Sequence, residues 1–169
     1  MTSSARPDAQ WAVECGEWPT LEAQRTAARR LLSRLVGAEV SVGHNVQGAP
    51  SLPSRPDLSV SLSHCRRAVA VAISHEGRVG IDVESRRRMS DGLVERVCTP
   101  EELAAVRAAA DPVMAFLRLW TRKEAVLKCR GTGIKGFGSM LSALTDGDCE
   151  VVDLDCGSPE VVAAMAVAR

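Results

Sequence analysis

The chain has 169 residues and a formal net charge of zero, so it can bury its own hydrophobic core and lacks the basic excess of most nucleic-acid-binding modules. Its six cysteines form no CxxC pair, and no histidine stands at zinc-finger spacing from them, which argues against structural zinc and indicates reduced thiols. The first residues contain no apolar stretch typical of a signal peptide, and the longest apolar run, Val161 to Ala168, is too short to span a bilayer. We therefore expect a cytoplasmic protein without a membrane partner.

The N-terminal half is predicted to contain one helix followed by strands. After an irregular segment, residues 1–19, Thr20 has the side chain of a helix N-cap. The helix is expected to run from Leu21 to Val36 and to end at Gly37. Alternating or short apolar runs then predict strands at Glu39 to Val46, Leu58 to Ser63, Ala68 to Ser74 and Arg78 to Glu84. The turn from His75 to Gly77 would join the last two strands as neighbours.

The C-terminal half is predicted to begin with helices and to end with strands. Ser85 to Gly92 is expected to be a basic connection between the halves. Thr99 and the proline after it open a helix to about Ala110, and Asp111 caps a second helix, Pro112 to Cys129. Strands are expected at Met140 to Thr145, Glu150 to Leu154 and Val161 to Ala168. This order of elements predicts an α+β fold.

Two carboxylates stand two residues apart in the strand expected at Arg78 to Glu84. Side chains two residues apart point to the same face of a strand, so Asp82 and Glu84 would lie together, opposite the apolar core-facing residues. Neighbouring carboxylates repel each other, and a bound cation is one remedy. From this spacing alone, two solvated acids at a strand end remain an alternative.

The helix expected at Pro112 to Cys129 carries an apolar stripe that continues into charged residues. Trp120 belongs to the stripe, and four and eight residues further on stand Glu124 and Lys128. A surface salt bridge is the ordinary explanation of such a pair. A partly buried acid on a core stripe, however, must be paired or bound to metal. If this helix packs on the sheet beside Asp82, several carboxylates without histidine would favour Mg²⁺ over zinc.

Lysine is confined to the same part of the chain. Of the 21 basic residues, only Lys123, Lys128 and Lys135 are lysines. A codon bias towards arginine is one explanation. A requirement for compact ammonium groups in this segment is the other.

Two segments together resemble a known family. SLSHCRRAVAVAISHEGRVGIDVE spans Ser61 to Glu84, and WTRKEAVLKCRGTGI spans Trp120 to Ile134. In order, wording and separation they resemble the Sfp-type 4'-phosphopantetheinyl transferases. The resemblance implies a Mg²⁺-dependent enzyme that transfers 4'-phosphopantetheine from coenzyme A to a serine of an apo acyl or peptidyl carrier protein. Adenosine 3',5'-bisphosphate would be the second product.

The resemblance also implies an architecture. Two similar α+β halves, residues 1–85 and 86–169, would be related by a pseudo-twofold axis, with the active site in the cleft between them. The first half would face coenzyme A. Because the GIDVE motif lies in the middle of the chain rather than near its start, a monomer is expected.

For catalysis, the resemblance assigns roles to five residues. Asp82, Glu84 and Glu124 would hold Mg²⁺ together with the coenzyme A pyrophosphate. Glu124 would take the proton of the carrier serine, directly or through a metal-bound water, and Glu102 matches an acid that can assist. Lys128 would hold a phosphate oxygen and offset the charge that develops as the phosphoanhydride breaks.

For coenzyme A, the resemblance points to four further residues. Ser63 and His64 match positions that contact the phosphates, and Lys123 would sit near them. Arg25 resembles an arginine that binds the 3'-phosphate of the adenosine. Ordinary alternatives are a hydrogen-bonded histidine at a strand end for His64 and a solvated helix face for Arg25.

The chain also departs from the family pattern. Ala49 stands where the family often has a lysine, and Val97 to Thr99 replaces an aromatic FFS segment. A non-catalytic relative that binds coenzyme A or a carrier protein is therefore the main alternative. A nucleic-acid-binding module that uses the arginines of the first helix and Arg86 to Arg88 is a more distant one, and we expect no nucleic acid partner. For Arg86 to Arg88 we expect a role in docking an acidic carrier protein.

Overall fold

The structure, a computed structural model, describes residues 9–132 and 138–169. In chain order its elements are β1 (Ala9–Cys15), α1 (Leu21–Val36), β2 (Gly43–His44), β3 (Pro50–Ser51), β4 (Ser59–Cys65), β5 (Ala68–Ser74), β6 (Val79–Ser85), α2 (Asp91–Val97), α3 (Pro100–Ala108), α4 (Pro112–Arg130), α5 (Gly138–Ser142), β7 (Cys149–Leu154) and β8 (Val161–Ala168). Helices and antiparallel sheets are mixed, which confirms the predicted α+β class. Among the described helices, none is long and apolar enough to cross a membrane.

The strands form two three-stranded antiparallel sheets and a short hairpin. Strand order is β1-β5-β4 in the first sheet and β6-β8-β7 in the second, while β2 pairs only with β3. Helix α1 packs on the first sheet through β5, and helix α4 packs on the second sheet through β6 and β8. The two sheets share a hydrophobic core, so each sheet lies between the other sheet and its own helix.

Strand β5 is buried along its whole length because both of its faces are covered. Its larger residues, Val69, Val71 and Ile73, pack in the cluster beneath α1. Its alanines, at positions 68, 70 and 72, point into the core shared with the second sheet. This alternation of branched and small side chains lets the helix and the second sheet both approach the strand closely.

Three serine side chains join the two sheets, and we call them the serine seam: Ser59, Ser61 and Ser63 on β4. Their hydroxyl oxygens accept hydrogen bonds from alternate backbone amides of β6, those of residues 79, 81 and 83, at 3.1, 3.0 and 3.2 Å. Side chains at every second position of a strand share one face, so the serine alternation of this segment places all three hydroxyls against β6. The seam fixes how the second sheet sits beside the first.

The expected pairing of the strand at Ala68 to Ser74 with the strand at Arg78 to Glu84 is wrong. The first of these is β5, between β1 and β4, whereas the second is β6, whose backbone partner is β8. The turn at His75 to Gly77 therefore carries the chain from one sheet to the other. Periodicity shows each strand but gives no information on which strands pair.

Two expectations for the first 46 residues also fail. Residues 9–15 were expected to be irregular but form β1, whose Trp11 and Val13 pack on the core between the sheets. The strand expected at Glu39 to Val46 is reduced to the two residues of β2. Val40 and Val42 instead pack under α1 with the cluster on that side of the first sheet, so their burial does not require a strand.

Two helices occur where none was predicted. The connection expected at Ser85 to Gly92 leads into α2, which Ser90 caps by accepting a hydrogen bond from the Leu93 amide. Where a strand was expected at Met140 to Thr145, the structure has the second part of α5 followed by a turn, with Met140 fully buried. Periodicity does not distinguish a short buried helix from a short buried strand.

The predicted helix ends are confirmed. Thr20 accepts a hydrogen bond from the Ala23 amide at the start of α1, and Gly37 ends that helix in the left-handed region at φ 77°. Thr99 and Glu102 form a reciprocal capping box at the start of α3. Asp111 caps α4 in the same way through the Met114 amide. These signals are local in the chain, which is why they could be recognised without knowledge of the tertiary structure.

Candidate active site

Helix α4 lies against β6 at a distance that only glycine permits. A Cβ added to Gly80 would stand 2.0 Å from the Ala125 carbonyl oxygen and 2.4 Å from the Cys129 amide nitrogen. Both are backbone atoms, so no side-chain movement could relieve the clash. Gly80 thus sets how closely the side chains of α4 meet the outer face of β6.

The two faces of β6 are divided as predicted. Val79, Ile81 and Val83 lie in the core between the sheets. The intervening positions turn towards α4, where Asp82 is 6% exposed. The helix brings Glu124 and Lys128 to the same place, so an apolar stripe that continues into charged residues does indicate a polar site under the helix.

Asp82 is bonded at one oxygen and left without a partner at the other. Its Oδ1 accepts hydrogen bonds from Ser63 Oγ at 2.8 Å and from Lys128 Nζ at 2.6 Å. Its Oδ2 is buried and has no hydrogen-bond partner within the described residues. An unsatisfied buried carboxylate oxygen carries a large desolvation cost, which a cation would remove.

Glu124 carries a second unsatisfied oxygen. The residue is 7% exposed, and its Oε1 is buried without a hydrogen-bond partner in the described part of the chain. Burial, with the negative charges of Asp82 and Glu84, raises the pKa of Glu124 to about 7 although the positive charge of Lys128 opposes the shift. Without a cation, this carboxyl is therefore half protonated near neutral pH.

The third expected ligand, Glu84, is engaged elsewhere. Arg87 Nε donates to one of its carboxylate oxygens at 3.0 Å, and Arg87 donates from its terminal nitrogen to the other at 2.7 Å. Glu84 still lies near enough to Glu124 to raise its pKa. In this structure both oxygens of Glu84 thus accept from Arg87, and the remaining lone pairs would be those available to a metal.

Asp82 and Glu124 suit a magnesium ion that is also held by water and phosphate better than a metal held by protein ligands alone. No group of three or more acidic, histidine or cysteine side chains in the described residues is arranged to hold a metal. Mg²⁺, however, keeps several waters and is commonly held by one or two carboxylates together with substrate phosphates. The unsatisfied oxygens of Asp82 and Glu124 match such a site, whose remaining ligands would come from water and phosphate.

Lys128 lies beside this site with its ammonium partly exposed. Its Nζ donates to Asp82 Oδ1 and, at 3.0 Å, to the Ile81 carbonyl oxygen, and its side chain is 29% exposed. An ammonium has three donors, and these two bonds use two of them. A phosphate oxygen can therefore approach Lys128 without removing both of its protein contacts.

Arg25 and His64 belong to the same electrostatic neighbourhood. Burial lowers the pKa of His64, the positive charges of Arg25 and Lys128 lower it further, and Asp82 raises it. His64 Nδ1 lies 3.1 Å from Gln24 Oε1, a contact that the sequence did not suggest. Three of the predicted phosphate-binding residues are thus brought together, and Gln24 on α1 orients one of them.

The hydroxyl of Ser63 is bonded within the protein. The residue is 7% exposed, its oxygen accepts from the Val83 amide, and its hydroxyl donates to Asp82 Oδ1. Since a hydroxyl has a single hydrogen, it is not free to donate to a coenzyme A phosphate as well. In this structure the Ser63 side chain contacts the Asp82 carboxylate.

Lys123 and Glu102 are also bonded within the protein. Lys123 is fully buried, and its Nζ donates to Glu102 Oε2 at 2.6 Å and to the Val97 carbonyl oxygen at 2.7 Å. The same Oε2 accepts from the Thr99 amide in the capping box of α3. In this structure the two side chains bond to each other and to the backbone. Ile134, the last residue of the motif, and Lys135, the third lysine of the segment, lie outside the described residues.

An α+β chain that offers two unsatisfied carboxylate oxygens beside a lysine and further positive charge is equipped to bind a divalent cation together with phosphate. Comparison with protein families then identifies the family of the chain. The model described as "4'-phosphopantetheinyl transferase superfamily" matches residues 78–166, more than half of the chain, and the "4'-phosphopantetheinyl transferase N-terminal domain" matches residues 22–74. The chain belongs to the 4'-phosphopantetheinyl transferase superfamily.

Individual relatives point the same way. The 4'-phosphopantetheinyl transferase AcpT of Salmonella typhimurium is 32% identical over 133 residues, 74% of this chain and 69% of the relative. The 4'-phosphopantetheinyl transferase HetI of Nostoc sp. strain PCC 7120 is 32% identical over 134 residues, 71% of this chain and 56% of the relative. A 4'-phosphopantetheinyl transferase of Bacillus subtilis is 30% identical over 112 residues, 65% of this chain and 49% of the relative. These matches confirm the predicted enzyme class.

Proposed function

We propose that this chain is an Sfp-type enzyme that transfers 4'-phosphopantetheine from coenzyme A to a serine hydroxyl of an apo carrier protein. The reaction would require Mg²⁺ and release adenosine 3',5'-bisphosphate. The observation that carries the proposal is the pair of unsatisfied buried oxygens, Asp82 Oδ2 and Glu124 Oε1, next to the ammonium of Lys128. Transfer rather than binding alone is favoured because the relatives AcpT and HetI are named as transferases.

Asp82 and Glu124 would hold the cation, and Glu84 would join them through its remaining lone pairs. When bound, Mg²⁺ would stabilise the negative charge that develops on the pyrophosphate oxygens as the phosphoanhydride breaks. The two carboxylates would orient the pyrophosphate by this means, and their mutual repulsion in the empty site favours occupancy. Displacement at phosphorus depends mainly on such positioning and electrostatics, so no nucleophilic side chain of the enzyme is needed.

Glu124 would take the proton of the carrier serine. A serine hydroxyl is a poor nucleophile until a base removes its proton. In the metal-free site the pKa of Glu124 is raised to about 7; a bound cation would lower it, so the carboxylate would be ionised at neutral pH and able to accept the proton. Glu102 is left out of this catalytic set because its carboxylate is used by Lys123 and by the capping box.

Positive charge around the site would bind the rest of coenzyme A. Lys128 would hold an oxygen of the pyrophosphate and offset the charge that develops on it. His64 and the exposed Arg25 would contact further phosphates, with the 3'-phosphate assigned to Arg25. Since Ala49 lacks the cation that the family often has at this position, Arg25 would carry more of this binding.

The partner would be an acyl or peptidyl carrier protein, which we expect to dock beside the exposed Arg88 near the end of β6. We also propose that residues 1–85 and 86–169 are two similar halves with the site between them, and that the protein acts as a monomer in the cytoplasm. The contact of β6 with both β4 and α4 supports a site at the junction of these segments.

The proposal is tested by incubating the protein with coenzyme A, Mg²⁺ and a panel of apo carrier domains, followed by intact-mass analysis. At least one carrier should gain the mass of one phosphopantetheine group. The same carrier with its acceptor serine replaced by alanine should gain none, nor should the intact carrier in the presence of EDTA. A folded protein that binds coenzyme A but modifies no carrier across the panel would instead support the non-catalytic alternative.

A further inference from the structure

We propose that Ser63 is a positioning residue that orients the Asp82 carboxylate for a divalent cation, an inference that rests on the proposed function. The sequence motif assigned Ser63 to coenzyme A, but the structure directs its hydroxyl to the acid of the site. The role is therefore one of holding a ligand rather than touching the substrate.

Ser63 is held by the backbone of β6. Its Oγ accepts from the Val83 amide at 3.2 Å and donates to Asp82 Oδ1 at 2.8 Å. Because the amide occupies one lone pair of the hydroxyl, the single hydrogen is left to point at the carboxylate. Val83 directly follows Asp82 in the chain, so the hydroxyl and the carboxylate are fixed to the same short piece of strand. The geometry does not depend on a long, flexible side chain.

The consequence for Asp82 is that its two oxygens differ. Oδ1 is bonded to Ser63 and Lys128, whereas Oδ2 is buried without a partner in the described residues. Rotation of the carboxylate to satisfy Oδ2 would break both bonds at Oδ1. The two donors therefore keep Oδ2 available for a cation.

Ser63 and Lys128 are not equivalent in this task. Lys128 is partly exposed, and in the proposed reaction its ammonium turns to a phosphate oxygen. Ser63 is buried and has no such second task. When Lys128 bonds to a phosphate oxygen, Ser63 becomes the principal hydrogen-bond donor that keeps Asp82 oriented.

The serine seam supplies a matched control. Ser61 is 4% exposed, lies on the same strand, and its Oγ accepts from the Ile81 amide at 3.0 Å. The side chain of Ile81 lies in the core between the sheets, so Ser61 supports a strand residue that carries no charge. Ser61→Ala and Ser63→Ala each remove one buried bond from the seam, but only Ser63→Ala removes a bond to Asp82.

The experiment compares Mn²⁺ binding to the wild type, Ser63→Ala, Ser61→Ala and Ser63→Thr, each with saturating coenzyme A and without carrier. Electron paramagnetic resonance of free Mn²⁺ gives the dissociation constant, and urea unfolding gives the stability of each variant. Ser63→Ala should weaken Mn²⁺ binding by about tenfold, the usual effect of removing a partner of a metal ligand. Ser61→Ala should change it by less than about twofold, although it also loses one buried bond to a backbone amide of β6. Ser63→Thr retains a hydroxyl and should bind close to the wild-type value.

A second readout separates positioning from general damage. In the transfer assay, Ser63→Ala should need about tenfold more Mg²⁺ for half-maximal rate and should recover most of the rate at saturating Mg²⁺. Equal Mn²⁺ dissociation constants for Ser63→Ala and Ser61→Ala would overturn the inference. So would a wild type that binds no Mn²⁺ with coenzyme A present. A wild type that binds Mn²⁺ but modifies no carrier would contradict the proposed transfer alone, because the binding comparison does not need turnover.

If Ser63→Ala fails to fold, Ser63→Cys takes its place with Ser61→Cys as control. A thiol is close to a hydroxyl in size but is a weak donor, so Ser63→Cys should also weaken Mn²⁺ binding relative to Ser61→Cys. Wild-type Mn²⁺ affinity in Ser63→Cys would overturn the inference in the same way.

Discussion

Helix α4 presents two lysines, five residues apart, that each pair with an acid, and the two pairs are built differently. Lys123 is fully buried, and its ammonium is bonded to Glu102 and to the Val97 carbonyl oxygen. Lys128 is 29% exposed and bonded to an acid, Asp82, that keeps one buried oxygen without a partner in the described residues. The first pair is closed, whereas the second is open to a ligand.

The difference shows why one sequence motif can contain both structural and functional charges. Glu102 is also the capping acid of α3, so the closed pair ties α3 to α4 and has no unmet hydrogen-bonding need. The open pair lies next to Glu124, whose pKa burial raises to about 7. Both pairs join a lysine of α4 to an acid. The number of satisfied atoms distinguishes them.

The largest effect is expected where the open pair is broken at its acid. Asp82→Ala should lower the transfer rate by at least about 100-fold at saturating Mg²⁺, since a cation ligand and a charge of the site are both lost. The fold should survive, because removal of Asp82 also removes its repulsion of Glu124 in the metal-free protein. Transfer rate and thermal unfolding together test this. The control is Asp91→Ala, which removes an acid whose side chain is 83% exposed. If Asp82→Ala transferred as fast as this control, the metal site would be refuted.

Breaking the closed pair should affect stability rather than chemistry. Lys123→Met leaves Glu102 without its buried partner and should lower the free energy of unfolding by about 3 kcal/mol. The rate of transfer per folded molecule should change little. Urea unfolding and a rate corrected for the folded fraction give the two numbers. A loss of rate without a loss of stability would place Lys123 in the reaction after all.

Lys128→Arg examines whether the open pair needs a compact cation. Arginine keeps the positive charge but presents a planar fork, which does not reproduce the bonds from Nζ to Asp82 and to the Ile81 carbonyl oxygen. We expect the transfer rate to fall by about tenfold, with Lys128→Ala lower still. Equal rates for Lys128→Arg and the wild type would show that charge alone is sufficient.

The raised pKa of Glu124 should make the free energy of unfolding depend on pH. Burial and neighbouring acids raise the pKa of Glu124 from 4.5 to about 7, so between these pH values the folded protein keeps a proton that the unfolded chain has released. The free energy of unfolding should therefore fall as pH rises through this window, by up to about 3 kcal/mol in EDTA. Glu124→Gln should lose this slope and be more stable than the wild type at pH 8. Parallel pH profiles for the two proteins would contradict the assignment.

The smallest effect is expected at the rim of the open site. Arg86 is bonded to Asp111 and Arg87 to Glu84, whereas Arg88 is 82% exposed and lies 3.8 Å from Asp91. Arg88→Ala should therefore account for most of the salt-dependent docking of an acidic carrier, with a rise of about two- to fivefold in the carrier KM at low salt. The KM for coenzyme A should not change. An unchanged carrier KM at low salt would remove Arg88 from the docking surface and leave the metal site unaffected.

Features set by nearby residues could be predicted from the sequence. The caps at Thr20, Thr99 and Asp111 each depend on a bond to a residue three positions away. The shared face of Asp82 and Glu84 follows from the two-residue period of a strand, and the place of Glu124 below an apolar stripe follows from the helical period. Such regularities were sufficient to locate the acids of the site.

Features that depend on residues far apart in the chain could not be predicted from the sequence. The hydroxyl of Ser63 and the carboxylate of Asp82 are 19 positions apart, and the partners Glu102 and Lys123 are 21 apart. Whether a charged side chain becomes satisfied depends on which elements pack together. The pairing of β6 with β8 rather than β5 shows that strand adjacency was also hidden. A motif can therefore name the charged residues of a site without showing which of them are free to act.

The serine seam has a further consequence for the unpaired edges of the sheets. β4 ends the first sheet and β6 ends the second, so each exposes backbone groups that could recruit a strand from another molecule. The seam serines occupy the amides of residues 79, 81 and 83. Side-chain hydroxyls thus satisfy the edge amides of β6 without adding a strand. One of these serines, Ser63, also bonds to Asp82, so the same row of small residues covers a sheet edge and reaches an acid of the candidate site.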